Sequence, residues 1–144
     1  MNVLIDTNVV LDVLISREPF YECSQLVLLA SEQKIINGYV TASAITDVFY
    51  ITNKHLKDKS ATYKLLKEHL MQTVGIAAVD GNGISEALDL EWADFEDCVQ
   101  YVVGKSISAD YIVTRNPDDF QNAQIAVGTP EELLNIIAPV EENE

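Results

Sequence analysis

Short apolar runs alternate along this chain with longer stretches whose apolar positions keep helical spacing. From Asn2 to Ile5 runs a short apolar stretch with β-branched Val3 and Ile5, ending at Asp6, which reads as a buried strand running into a helix start. Val9, Val10, Val13 and Leu14 then recur at the spacing of an amphipathic helix. After a break at 16–19, Leu26, Leu29 and Ala30 share a face of a second helix over 21–34. Asn37-Gly38 suits either a hairpin turn or a close approach to a strand at 39–42. A helix over 44–55, capped near Ser43, carries Asp47 in its first turns and turns Val48, Phe49 and Ile51 inward. Further helices are predicted at 61–74, 82–91 and 94–105, the last with Val99, Val102 and Val103 inward, and further strands at 75–79, 109–114 and 125–127. Pro130 followed by Glu131 and Glu132 opens a final helix to 137, with acids beside the positive end of its dipole. Short strands alternating with helices predict a three-layer α/β/α fold around a short, mostly parallel five-stranded sheet. In such sheets the working site lies beyond the carboxyl ends of the strands, so polar residues just after strands are the candidates.

Composition narrows the setting. The 144 residues are 48% hydrophobic, enough for one core, and one domain is expected over 1–138 with an acidic, disordered tail at 139–144. No basic leader or membrane-length apolar run is present, so a soluble, cytoplasmic protein is expected. Cys23 and Cys98 form no CxxC pair and read as buried thiols rather than zinc ligands. The net charge is −14, an unpromising balance for a protein that grips phosphates. The charge is unevenly spread, however. Residues 1–72 hold eight acids and seven bases, whereas the remainder holds 15 acids against only Lys105 and Arg115. Five of the nine basic residues fall within fourteen positions, Lys54, Lys57, Lys59, Lys64 and Lys67. This cluster is either a solvated helical face or a phosphate track, which Arg17 and Arg115 would extend.

Several acids fall where the pattern locates the site. Asp6 follows the first strand; Asn116 and Asp118 follow the fourth; Asp94 and Asp97 share one face at the start of a helix. Asp47 joins them if its helix begins at the same edge. Each taken singly fits a structural role, Asp6 or Asp94 as a helix cap and Asp118 or Asp119 as a turn residue. Together they form a group of carboxylates that repel one another unless a cation compensates them. Mg²⁺ or Mn²⁺, hard ions that take oxygen ligands, are the expected cofactors, and a metal-bound water is then the nucleophile for attack on a phosphodiester.

The segments LIDTNVVLD (4–12), TASAITDVFY (41–50), DFEDCVQ (94–100), ADYIVTRNPDDF (109–120) and TPEELL (129–134) resemble the PIN-domain family in order and spacing, over nearly the whole chain. The resemblance implies a five-stranded parallel sheet, metal-dependent endoribonuclease activity leaving a 5′ phosphate, frequent homodimers and, for VapC-like members, an antitoxin partner. It matches Asp6 to the family's first acid, Asp97 to its third and Asp94 to an additional one, so that these three are the implied metal ligands. At the second acidic position, where the family commonly has Glu, stands Asp47; at the fourth, where it commonly has Asp, stands Asn116. Thr7, Asn8, Thr114, Asp118 and Asp119 complete the expected surroundings. The departures at 47 and 116 keep open a second reading, a PIN fold with weakened catalysis that serves as an RNA-binding or protein-interaction module.

Other signals in the sequence carry no chemistry. Gly104-Lys105-Ser106 lacks the earlier glycine of a phosphate-binding loop and follows a helix. A phosphomonoesterase with an aspartate nucleophile needs a second Asp where Asn8 stands. His55 and His69 lie among lysines, away from any serine and aspartate pairing, and Trp92 reads as a core residue.

Overall fold

The computed structural model describes residues 1–142. Its five strands are β1 (Asn2–Ile5), β2 (Asn37–Thr41), β3 (Gly75–Ala77), β4 (Tyr111–Val113) and β5 (Ala126–Gly128). They form one sheet in the order β3-β2-β1-β4-β5, and every pairing is parallel. The helices are α1 (Thr7–Leu14), α2 (Tyr21–Glu32), α3 (Ala42–Leu56), α4 (Lys59–Leu65), α5 (Met71–Thr73), α6 (Gly81–Leu90), α7 (Phe95–Ser106) and α8 (Pro130–Ile136).

Alternation along the central strands builds the layers. Val3 and Ile5 of β1, with Tyr111 and Val113 of β4, join a core with Val9, Val10, Val27 and Leu133 of α1, α2 and α8. Leu4 and Ile112, one residue out of phase, join the opposite core with Ala87, Cys98, Val99 and Val102 of α6 and α7. Strands buried on both faces need this continuous aliphatic character, which is why they read as runs rather than as alternating patterns. Gly38 is required by packing: a Cβ there would stand 2.6 Å from Ser31 Oγ. The hairpin alternative at Asn37-Gly38 therefore gives way to a strand pressed against α2.

Several predicted elements differ in detail. The helix expected over 61–74 is α4, a five-residue π turn (Leu66–Leu70) and α5. The wider turn leaves Leu66 and Leu70 both buried. Helix α3 begins after Thr41 rather than Ser43; Ala44, Val48 and Thr52 are its buried positions, and Phe49 packs partly on the core as expected. Ile51 lies off that four-residue stripe and is exposed. Strands β3 and β4 are three residues each, shorter than predicted, because the chain departs from the sheet as soon as pairing with the neighbour ends. Of the tail expected at 139–144, Val140 packs on the core and Glu141 exchanges two backbone hydrogen bonds with the Gln33 amide. Residues 143 and 144 lie outside the described ones. Among the described residues no helix is long and apolar enough to cross a membrane.

Candidate active site

The strand order reverses about β1: the chain runs outward through β2 and β3, then crosses to β4 on the other flank. Loops leaving β1 and β4 in opposite directions open a crevice at their carboxyl ends. Asp6 and Thr114 are the first residues beyond these two strands. Asp6 occupies the cap position of α1 yet does not cap it. Its two carboxylate oxygens instead accept one hydrogen bond each, from Gln100 Nε2 of α7 and from Thr114 Oγ1, both at 2.8 Å. All three side chains are buried. The contact fixes the Gln100 amide orientation, since an ionised carboxylate only accepts. Gln100 Oε1 is then left buried with no partner. Thr114 Oγ1 also accepts from the Asn116 backbone N–H at 3.1 Å, tying the turn after β4 to the same point.

Helix α7 brings the remaining acids to this crevice. Asp94 is its cap, accepting from the Asp97 N–H at 3.0 Å, so the structural role expected for Asp94 is real and coexists with its place in the cluster. Asp97, half-buried one turn before Gln100, has its pKa pushed up to about 7, first by burial and then by the negative charges of Asp6, Asp94, Asp119 and Glu96. Glu96 is also raised, by burial and then by Asp47, Asp94 and Asp6. Glu96 thus feels Asp47, Asp94 and Asp6, and Asp97 feels Asp6, Asp94, Asp119 and Glu96. Gln100 and Glu96 are the members that the sequence pattern does not single out. Gln100 lies three residues beyond Asp97, as Asp97 lies three beyond Asp94, and that helical spacing is the available signal.

Other expected residues take separate places. Asp118 lies exposed on the 3₁₀ turn Pro117–Phe120, and the Asn116 side chain is exposed. Thr7 is buried with its hydroxyl unpaired, while the Asn8 carbonyl accepts from Arg17 Nη2 at 3.1 Å. Arg17 and Arg115 turn toward Asp12, which is fully buried. Arg17 Nε stands 3.0 Å from Asp12 Oδ1, Arg115 Nε 3.3 Å from Oδ2, and Ser24 Oγ donates to Oδ2 at 3.2 Å. Burial raises the Asp12 pKa despite the opposing pull of Arg115 and Arg17. These guanidiniums are therefore engaged by an internal acid rather than free in a lysine track. Lys54, Lys57 and Lys59 are exposed where α3 ends and α4 begins, with Lys57 in the left-handed conformation that closes α3. Lys54 lies two turns beyond Asp47 on the same helix, roughly 10 Å away by helical rise. Trp92 stacks on Tyr101 with ring centroids 4.9 Å apart, as a core residue should.

The donor set suits a hard divalent cation by chemistry, because every candidate ligand is an oxygen. It is an open arrangement rather than a cage: among the described residues no three acidic, histidine or cysteine side chains converge as a metal-holding group. Mg²⁺, which uses one or two carboxylates and keeps several waters, tolerates such openness.

Known proteins show the same organisation. The sequence profile of the PIN domain matches residues 2–118. The chain belongs to the PIN-domain family. No curated protein matches the sequence significantly. Among solved structures, FitAcB from Neisseria gonorrhoeae superposes with a TM-score of 0.62 at 17% identity, covering 90% of this chain and 98% of that one. At that identity the likeness speaks to the fold, which is the five-stranded parallel PIN architecture. PIN domains are generally nucleases, and this one brings Asp6, Asp94 and Asp97 together beyond the carboxyl ends of β1 and β4.

Proposed function

We propose that this PIN domain is a VapC-like endoribonuclease of the DFED and TRN type, hydrolysing RNA phosphodiester bonds with Mg²⁺ or Mn²⁺. The carrying observation is the placement of Asp6, clamped by Gln100 and Thr114 at the crevice, with Asp97 beside it strained by neighbouring charge. Asp6, Asp97 and Asp94 would hold the ion, with Asp47 and Asn116 at the margin. When bound, the ion supplies a water of lowered pKa and stabilises charge on the phosphoryl oxygens. Gln100 and Thr114 keep Asp6 in a single orientation. Cytoplasmic location, a homodimer and an antitoxin partner belong to the same reading.

One observation favours the alternative of a catalytically weakened RNA-binding or protein-interaction module. Among the described residues the acids do not converge as a preformed metal group, and Asp47 and Asn116 are both exposed. An assay on a mixed RNA pool and on a chromogenic phosphomonoester, with and without Mn²⁺, separates the readings. Metal-dependent RNA cleavage abolished in Asp6→Asn and Asp97→Asn supports the nuclease. RNA binding without cleavage supports the module, and hydrolysis of the monoester alone would overturn both.

A further inference from the structure

A second concavity opens at the same carboxyl edge, on the flank of β4 and β5 away from α7. It encloses about 220 Å³ and is lined by Pro19, Phe20, Cys23, Arg115, Thr129 and Glu131, with Ser24 and Pro130 completing it. Arg115 is the residue after Thr114, and Thr129 follows β5, whose Gly128 carbonyl accepts from the Thr114 N–H at 2.9 Å. The cavity is therefore joined through Thr114 to the carboxylate that Thr114 holds. Along α1, Asp6 and the Asp12 that anchors Arg115 are six residues apart, roughly 9 Å by helical rise. That distance is on the order of one or two nucleotides of a strand.

Its lining points to an aromatic ligand. The Arg115 guanidinium lies over the Phe20 ring at 4.2 Å from the centroid, and Phe20 is nevertheless 41% exposed. Arg115 is steered there by charge: its Nε is within ion-pair reach of Asp12 yet makes no aligned hydrogen bond. A guanidinium lying over a partly exposed aromatic ring is a surface on which unstacked RNA bases settle. The two prolines and Phe20 supply apolar walls. Glu131 puts a negative charge at the cavity, which disfavours a phosphate and accepts N–H groups instead. Open to solvent at Phe20 and Glu131, the concavity has room for one planar base.

We propose that this cavity is a base-binding subsite, receiving one unstacked RNA base whose strand continues into the carboxylate crevice, with Phe20 as its stacking platform and Arg115 and Glu131 reading its edge. The proposal rests on the ribonuclease reading above. It makes Phe20 a specificity-determining residue although it lies on the opposite flank from the α7 acids.

The test is cleavage by the full chain with Mn²⁺, using short RNAs that vary each base flanking the cut and matched RNAs with a single abasic position. Phe20→Ala should raise KM roughly 10-fold, the loss expected of one stacked base, with kcat held within about twofold. It should also flatten the base preference at one position. An abasic nucleotide at that position should raise KM for the native protein and leave the variant unaffected. Phe20→Trp should restore stacking and preference, which a merely structural Phe20 would not require. Native KM and base preference in Phe20→Ala would overturn the subsite while leaving the nuclease standing. If the native protein cleaved no RNA, the nuclease reading would fail and the subsite with it.

Discussion

Replacing Asp97 by Asn should stabilise the metal-free protein above neutral pH while abolishing cleavage. Asp97 has an ordinary value of 3.8 and is pushed to about 7 by burial and four neighbouring acids. A carboxyl group that holds its proton more tightly when folded favours the folded state while protonated. Between pH 4 and pH 7 the folded protein carries more bound proton than the unfolded chain, so stability falls as pH rises through this window and levels off above it. Taken whole, the gap between the two values corresponds to roughly 4 kcal/mol. Because Asp97 is only half-buried and shares its repulsion with neighbours, about 1–3 kcal/mol is the expected loss. Glu96, displaced in the same direction, adds to the trend. Asn keeps the shape and lacks the charge, so the variant should lose most of that slope. Urea unfolding of both proteins in chelator from pH 4 to pH 8 reads the difference directly, and added Mn²⁺ should stabilise the native protein more than the variant. Parallel stability profiles for the two, or a native profile that stays level across the window, would refute the reasoning.

Removing a neutral clamp should separate stability from activity. Thr114→Val deletes a donor to Asp6, costing about 1–2 kcal/mol and at least tenfold in cleavage, whereas Thr114→Ser should retain both; denaturation and turnover measured together decide it. Gln100→Leu removes the other donor along with an unpaired oxygen, so a small stability change with a large activity loss is expected, and native activity would remove Gln100 from the site. Asp12→Ala strands two guanidiniums and should cost on the order of 3 kcal/mol in thermal or urea unfolding. For the lysine cluster, replacing Lys54, Lys57 and Lys59 together by Gln should reduce the slope of log affinity against log salt by about one for each of these lysines that neutralises a phosphate; an unchanged slope assigns them to solvent.

The fold is legible because its core strands are short aliphatic runs punctuated by polar residues, and that pattern survives in LIDTN and in YIVTRN whatever surrounds it. Element ends are less so. The π turn at Leu66–Leu70 has no signal in apolar spacing, since leucines at 65, 66 and 70 fit a plain helix as well. Among site residues, Asp6, Asp94 and Asp97 stand out by position after a strand or at a helix start. Gln100 is hidden because an amide in mid-helix is ordinarily a surface residue, and only the tertiary approach of α7 to β1 buries it. Arg17 and Arg115 read as phosphate ligands because basic residues near an acidic site suggest substrate. Their partner, Asp12, sits in a run of apolar residues where nothing local reveals that it is buried and needs two cations.

Asp6 and Asp12 come from the same nine-residue segment and are both buried, yet the fold treats them in opposite ways. Asp12 is met by two guanidiniums and a hydroxyl, so its charge is cancelled where it lies and it can act only as an anchor between α1, α2 and the loop after β4. Asp6 is met by an amide and a hydroxyl, which satisfy hydrogen bonding and fix geometry but contribute no net positive charge. The field of Asp6 is therefore left to act outward, and it does so on Asp97 and Glu96. A carboxylate held by neutral donors among other carboxylates remains available to an external cation, whereas one held by arginines does not. Under the nuclease proposed above, the difference in partners makes Asp12 the anchor and leaves Asp6 to the chemistry. Converting the clamp to a cation tests this directly. Gln100→Lys should settle beside Asp6 as an internal ion pair, lower the Asp97 pKa toward its ordinary range, raise stability at pH 8 and weaken Mn²⁺ binding. Mn²⁺ affinity equal to that of the native protein in that variant would show that the neutrality of the clamp is immaterial.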